Sequence, residues 1–320
     1  AICTKFMRPT ANFFYFCLIM ISVLIPTYNQ VCVDLVRELS RQMKRDNITG
    51  EIIVIDDCSD DKNVISANRQ INDIPFARLI ELDNRVSISV MRNTLVDNAK
   101  YEIFICLDAD VTLQKDSFIQ DYLEAISDVD VVCGGLMYSK QEGVVSLRYR
   151  YGAIAESESE EERRKHPFCN FKTSNYCVRR SVFDNVRFDE EIAQYGYEDL
   201  LFGKDLEENG FTIKHIDNAV YHNDTDTDID FLKKTYCALN NLVYHYDKLL
   251  SHSKILQLYA SVRRKHLAFI FRISYVLCGE LMERHVLSGN AKIWVFQLLK
   301  LCYLSHRMAH YSHEEKAVEG

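Results

Sequence analysis

The sequence predicts an α/β protein with a mixed, mainly parallel sheet that carries its ligand site at one edge and is followed by a helical appendage. Three observations point there. Between about residues 21 and 135, short β-branched runs alternate with helix-period segments, the pattern of βαβ units. Acidic residues stand directly after several of the apolar runs, and ligands of open α/β sheets bind at the carboxyl ends of the strands. From about residue 229 onward the helical period dominates.

Strands are expected at 21–25, 51–55, 78–82, 101–107 and 129–133. Between them, 33–43 places Leu35, Val36, Leu39 and Met43 on one stripe, and 88–96 places Ile88, Met91, Leu95 and Val96 on another, as sheet-covering helices require. The charge-dense run 156–165 reads as a solvated helix or loop. Strand, helix and strand return at 171–178, 197–208 and 213–222, and 231–248, 255–284 and 293–303 are helical. The apolar stretch 13–25 follows Lys5 and Arg8 but lacks a small-residue cleavage site, is shorter than a spanning helix, and supplies the first strand in its second half. The expected organisation is an N-terminal extension (1–19) upstream of Met20, an α/β domain (20–228) and a C-terminal helical region (229–320).

With 320 residues, 48% hydrophobic and 26% charged, the chain can bury a substantial core; disorder, collagen and coiled coil are excluded. A net charge of −8 disfavours a phosphate-tracking nucleic-acid protein. The 11 cysteines fall singly and never as C-x-x-C, which is neither a zinc site nor a disulfide framework and suits a reducing cytoplasm.

Four acidic signals carry the chemistry: Asp56-Asp57, Asp108-Ala109-Asp110, Glu198-Asp199 after Gly196, and the series Asp224, Asp226, Asp228, Asp230. Carboxylates converging in one cleft raise one another's pKa unless a cation neutralises them. Hard oxygen ligands suit Mg2+ or Mn2+, and one imidazole tilts the choice towards Mn2+. If Asp108 and Asp110 are both extended, their side chains share a face. The 224–230 series lacks the Gly and distal Glu of an EF-hand and reads as a solvated turn. Gly134-Gly135 reads as a close approach of backbones rather than a P-loop. Arg263-Arg264-Lys265-His266 precedes an apolar helix that either packs on the catalytic domain or lies on a membrane without spanning it.

In order, Ile25-Pro26-Thr27-Tyr28-Asn29, the Asp56-Asp57-Cys58-Ser59-Asp60 turn, Met91-Arg92-Asn93, Leu107-Asp108-Ala109-Asp110, Gly196-Tyr197-Glu198-Asp199 and Val220-Tyr221-His222 resemble the marks of inverting GT-A glycosyltransferases of family 2. The resemblance covers about residues 21–222; Cys58 stands where many members carry Gly, and Met91 where a small residue is usual. It implies the GT-A fold (nucleotide-diphospho-sugar transferase, Rossmann-like) and a metal-dependent hexosyl- or N-acetylhexosaminyltransferase using a UDP-sugar. Pro26, Thr27 and Tyr28 would shape the loop over the nucleotide, Asp56 would accept from the uracil ring, and Asp57 would support that turn. Arg92 would lie along the base or diphosphate, and Asp108, Ala109 and Asp110 would meet the nucleotide-sugar. Asp110 and His222, with Asp108, would hold the Mn2+ or Mg2+. Asp199 would be the catalytic base, and Asn175, Gly196, Tyr197 and Glu198 would face donor sugar or acceptor. The acceptor implied is a glycan or lipid-linked oligosaccharide in cell-surface polysaccharide synthesis.

Breaking a sugar–phosphate bond calls for stabilisation of the departing diphosphate, and the acceptor hydroxyl calls for a carboxylate base that gives inversion. Rival assignments remain at single positions. His222 is an ordinary strand histidine in one of them, Glu198 is the base in another, and Tyr195 and Tyr197 stack on a sugar or wedge a loop. Thr173 and Ser174 join Asn175 at the sugar or form a polar strand edge. A non-catalytic nucleotide-sugar or glycan-binding module is the alternative to the enzyme, and a nucleotidyltransferase lacks its Gly-rich loop after the first strand. The expected location is cytoplasmic, peripheral at the inner membrane face if the basic helix lies on lipid, with no nucleic-acid partner.

Overall fold

The computed structural model describes residues 20–138, 146–192, 196–223, 226–289 and 292–318; the 1–19 extension, Tyr195 and Asp224 lie outside them. The strands are β1 (Met20–Thr27), β2 (Thr49–Asp56), β3 (Ala77–Glu81), β4 (Ile103–Leu107), β5 (Val111–Leu113), β6 (Val131–Cys133), β7 (Leu136–Met137), β8 (Asn175–Arg179), β9 (Ile213–His215) and β10 (Val220–His222). A seven-stranded sheet runs β3-β2-β1-β4-β8-β6-β9. Its β3, β2, β1 and β4 are mutually parallel, and β8 is antiparallel to both β4 and β6.

Period-two alternation divides the core across this sheet. Ile21, Val23, Ile25, Ile52, Val54, Ile105 and Leu107 point to one face. Leu24, Ile53, Ile55, Phe104 and Cys106 point to the other. The first face is covered by α1 (Val33–Arg45), which buries Leu35, Val36, Leu39 and Met43. Following α2 (Lys62–Asn68), α3 (Ile88–Asn98) covers the second face with Met91, Leu95 and Val96. The sheet is further flanked by α4 (Phe118–Ala125), whereas α5 (Leu147–Ala155) packs through Leu147 on the carboxyl-terminal helices; α6 (Glu160–Lys165) lies by β9 and α7 (Glu198–Glu208) covers the sheet with Phe202 and Leu206.

Two sequence expectations change here. The run 213–222 is not one strand: it breaks between β9, which stays in the main sheet, and β10, which pairs antiparallel with β5 and parallel with β7 in a three-stranded sheet. The intervening Asn218 is fully buried, donates to Phe118 O and accepts from Asn175, so the chain is pinned where it changes sheet. The run 156–165 is not merely solvated. Arg163 in α6 is buried and donates to the carbonyls of Cys133, Gly134 and Ile216. Gly135, at φ +91, is needed for this, because a Cβ there would lie 2.6 Å from the Arg163 guanidinium.

The carboxyl-terminal part is helical: α8 (Asp228–Tyr244), α9 (Tyr246–Leu249), α10 (Lys254–Arg264), α11 (Ala268–Leu287) and α12 (Ile293–Val318). The helix expected over 255–284 breaks at His266, which takes φ +56. The 226–230 acids serve the start of α8. Thr227 caps it, Asp228 accepts from Leu147 N, and Asp226 pairs with Lys234 at 2.7 Å. None of the described helices is long and apolar enough to cross a membrane.

Candidate active site

Parallel register places Thr27 beside Asp56 at the carboxyl ends of β1 and β2, and β4 delivers Asp108 to the same edge. Pro26 lies in the last turn of β1 towards that edge, and Thr27 donates its hydroxyl to Gln30 O at 2.8 Å, closing the loop. Asn29, at φ +49, ties this loop to the next by accepting from the Asp60 and Asp61 amides and donating to Asp60. The Arg85 guanidinium lies 3.6 Å over the Tyr28 ring and 3.6 Å from Asp57, a stack that the sequence did not reveal. Asp57 accepts from Val86 N, so it fastens the 83–87 segment. Asp56 is buried; its Oδ1 accepts from Ser59 N at 2.7 Å, and its Oδ2 has no hydrogen-bond partner. That acceptor is what a ring N–H demands, because a buried oxygen left unpaired is costly. The Cys58 position that usually carries Gly adopts φ +56, the left-handed region, in the same turn.

The chain leaves extended geometry at Leu107, and Ala109 and Asp110 form a turn before β5. Asp108 and Asp110 therefore do not share a strand face, contrary to the alternation argument. Asp108 faces Arg92 at 3.4 Å, whereas Asp110 faces His222, Oδ2 to Nε2 3.3 Å. The small sheet makes this second meeting: His222 is in register with Val111, and Asn223 N donates to Asp110 O at 2.7 Å. Among the described residues no three His, Cys, Asp or Glu side chains form a cluster that could hold a metal ion. Of the three expected ligands, Asp110 and His222 meet directly, whereas Asp108 pairs with Arg92. Asp110 Oδ1 and His222 Nδ1 are buried without partners. Burial and the neighbouring Asp108 push the Asp110 carboxyl up to about 6 against the pull of His222. One carboxylate and one imidazole, with an unsatisfied oxygen, are a donor set suited to a divalent cation whose remaining positions come from phosphate or water.

Arg92 is buried with its guanidinium between Asp108 and Glu198 (3.1 Å), so it clamps two protein carboxylates rather than lying free along a diphosphate. Glu198 Oε2 also accepts from Gly196 N at 3.0 Å, which occupies it structurally and leaves Asp199 as the carboxylate at the start of α7. Glu198→Ala strands a buried guanidinium and is expected to cost about 3 kcal/mol of stability. Urea denaturation checks this, and a loss below about 1 kcal/mol contradicts the clamp.

Asp199, half-buried in the first turn of α7, accepts from Lys172 Nζ at 2.9 Å. Burial works against the Lys172 charge, but Asp199 and Glu156 outweigh it and hold the ammonium above its ordinary range. Glu156, in turn, accepts from the Tyr138 hydroxyl and pairs with Arg148 at 2.8 Å; these and Lys172 overcome its burial and keep the carboxyl below its usual range. Tyr138 stacks on His222 with ring centroids 5.5 Å apart. Contacts thus join Asp108, Arg92 and Glu198, join Asp199 to Lys172, and join Glu156 through Tyr138 and His222 to Asp110, while Lys172 and Glu156 influence each other electrostatically. Lys172, Glu156 and Tyr138 were missed because each looks like a solvated or core residue on its own.

Asn175 corrects an expectation. It is buried, spends both amide hydrogens on Gly135 O and Asn218 O and accepts from the Tyr122 hydroxyl, so its side chain is tied into the protein rather than presented to a sugar. Thr173, by contrast, lines a small cavity with Pro26, Arg92 and Leu107. Gly196 takes φ +110, and a Cβ there would lie 2.3 Å from Ala238 Cβ; its carbonyl accepts from Asn241. It seats the turn before α7 on α8. Tyr197, at φ +67, starts α7 and packs on the helical core.

Comparison with known proteins bears on the family and the fold. Residues 22–187, just over half of the chain, match the family model described as glycosyl transferase family 2. A chondroitin synthase of Pasteurella multocida (strain Pm70) is 24% identical over 274 residues, covering 72% of this chain and 28% of that protein. The chain therefore spans little more than a quarter of that curated relative. Among solved structures, a mannosyltransferase from Pyrobaculum calidifontis in complex with GDP-Man and Mn2+ aligns with TM-score 0.58 and 15% identity over 90% of this chain and 86% of that one. S. aureus TarS 1-349 in complex with UDP-GlcNAc aligns with TM-score 0.49 and 15% identity over 92% of each chain. The fold is that of the GT-A glycosyltransferases, and the chain belongs to glycosyl transferase family 2.

Proposed function

We propose that this glycosyltransferase moves a hexosyl or N-acetylhexosaminyl group from a UDP-sugar to a hydroxyl of a glycan or lipid-linked oligosaccharide, with inversion, in cell-surface polysaccharide synthesis. The observation that carries the reading is the meeting of Asp110 with His222, with an unsatisfied Asp110 oxygen.

The unpaired Asp56 Oδ2 receives the uracil N–H, and Tyr28 with Arg85 flanks the base. Arg92 orients Asp108 towards the ribose. Asp110 and His222 hold a divalent cation, Mn2+ or Mg2+; when bound, it neutralises charge on the departing diphosphate. GDP-Man and Mn2+ accompany the Pyrobaculum enzyme on the same fold, and the Pasteurella relative builds a polysaccharide according to its name. Asp199 takes the proton of the acceptor hydroxyl as the oxygen attacks the anomeric carbon from the face opposite the diphosphate. Lys172 holds the Asp199 carboxylate in place through its 2.9 Å contact and yields that contact when the acceptor arrives.

The test is UDP release from a panel of UDP-sugars with Mn2+, with and without a glycan acceptor and EDTA. Release from one donor that EDTA abolishes and Mn2+ restores is the expected result. Release indifferent to EDTA contradicts the cation site, and tight donor binding without any release favours the binding-module alternative.

A further inference from the structure

We infer that the solvent-facing side of α11 docks on an anionic lipid surface. Phe269, Ile270, Ile273, Val276, Leu277 and Leu281 are 46–73% exposed. At 100° per residue they occupy one arc of about 140°. The opposite side of the same helix is satisfied: Gly279 and Val286 are buried, and Tyr275 packs edge-on against Tyr303 of α12 with centroids 5.4 Å apart. The helix is thus apolar on both sides, although one side meets water, and such a contiguous exposed patch marks an interaction site.

The charge around the patch selects the occupant. Arg263 and Arg264 end α10, Lys265 follows and Arg272 borders the arc; all are exposed. Glu280 lies within the arc and pairs with Arg284 at 3.6 Å, so these two leave no net charge there. Arg263, Arg264 and Lys265 make no ion pair with any described residue, while the chain as a whole carries −8. Arg263 and Arg264 also line, with Tyr246 and Gln257, a cleft of about 730 Å3 that admits a phosphate headgroup. Trp294, 62% exposed at the start of α12, supplies the aromatic that favours a membrane–water boundary. A second copy of the chain fits less well, because parallel pairing sets Arg263, Arg264 and Lys265 against themselves. The helix lies on the surface, since none of the described helices can cross a bilayer. This docking does not depend on the catalytic reading.

Co-sedimentation of the full chain with vesicles tests it, using phosphatidylcholine alone against phosphatidylcholine with about a third phosphatidylglycerol. The expected result is roughly tenfold stronger partitioning onto the anionic vesicles, weakened by salt. Ile273→Glu with Leu277→Glu lowers it about tenfold or more without changing the melting temperature, both side chains being exposed. Arg263→Glu with Arg264→Glu removes the preference for anionic lipid. The inference is overturned by absence of partitioning on either vesicle, by undiminished binding of the double-Glu apolar variant, or by a dimer that this variant dissolves while the parent ignores lipid.

Discussion

Asp199→Asn is expected to lower sugar transfer by about 10²–10⁴-fold, some 3–5 kcal/mol of barrier, while UDP-sugar and Mn2+ binding stay unchanged. The substitution is nearly isosteric, and the amide oxygen still accepts from Lys172, at the loss of the bond from the Leu200 amide to the other oxygen. What disappears is the capacity to take a proton. Glu198 cannot take over, because one of its oxygens is held by Arg92 and the other by the Gly196 amide. Transfer kinetics with isothermal titration of the donor separate the two effects; a variant that transfers at near the parental rate removes Asp199 from the mechanism.

The second large effect concerns the cation. Asp110→Asn and His222→Ala are each expected to reduce Mn2+-dependent UDP affinity and transfer by about a hundredfold or more, because either change leaves one protein donor. The pH dependence has a defined sign. The Asp110 carboxyl rises from an ordinary 3.8 to about 6 in the cation-free fold, with burial as the largest cause. The native state therefore holds a proton that the unfolded chain releases between those values. In the absence of cation, stability present below about 4 is lost as pH rises towards 6. Cation binding runs the opposite way: proton and metal compete for one carboxylate, so apparent Mn2+–UDP affinity falls as pH drops below about 6. Calorimetric titration at pH 5 and pH 7 reads this directly, and equal affinities contradict Asp110 as a ligand.

Much of the fold was legible because strand and helix periods differ. The Leu35, Val36, Leu39, Met43 stripe and the uniformly apolar run of Ile103 to Leu107 match a one-sided helix and a strand buried on both faces. Where polar side chains turn inward, the signal failed. Arg163 and Glu156 sit in a run that reads as solvated, yet carbonyls in one case and Tyr138 with Arg148 in the other absorb them into the structure. Asn175 was legible as a polar strand residue but not as one whose partners, Tyr122, Gly135 and Asn218, come from three other segments. The parting of Asp108 from Asp110 was hidden for a related reason: spacing describes an extended chain, and only the turn before β5 shows that the chain is no longer extended there. The pairing of Asp110 with His222 depends on β10 leaving the main sheet, a tertiary event without a local signature.

The most direct measurement is the anomalous scattering of manganese in crystals of the protein grown with UDP and Mn2+. A single peak within coordination distance of both Asp110 and His222, bridged to the UDP phosphates, with Asp199 facing open space beyond them, is the result expected here. A manganese peak away from either side chain, or a diphosphate bound at another edge of the sheet, contradicts it.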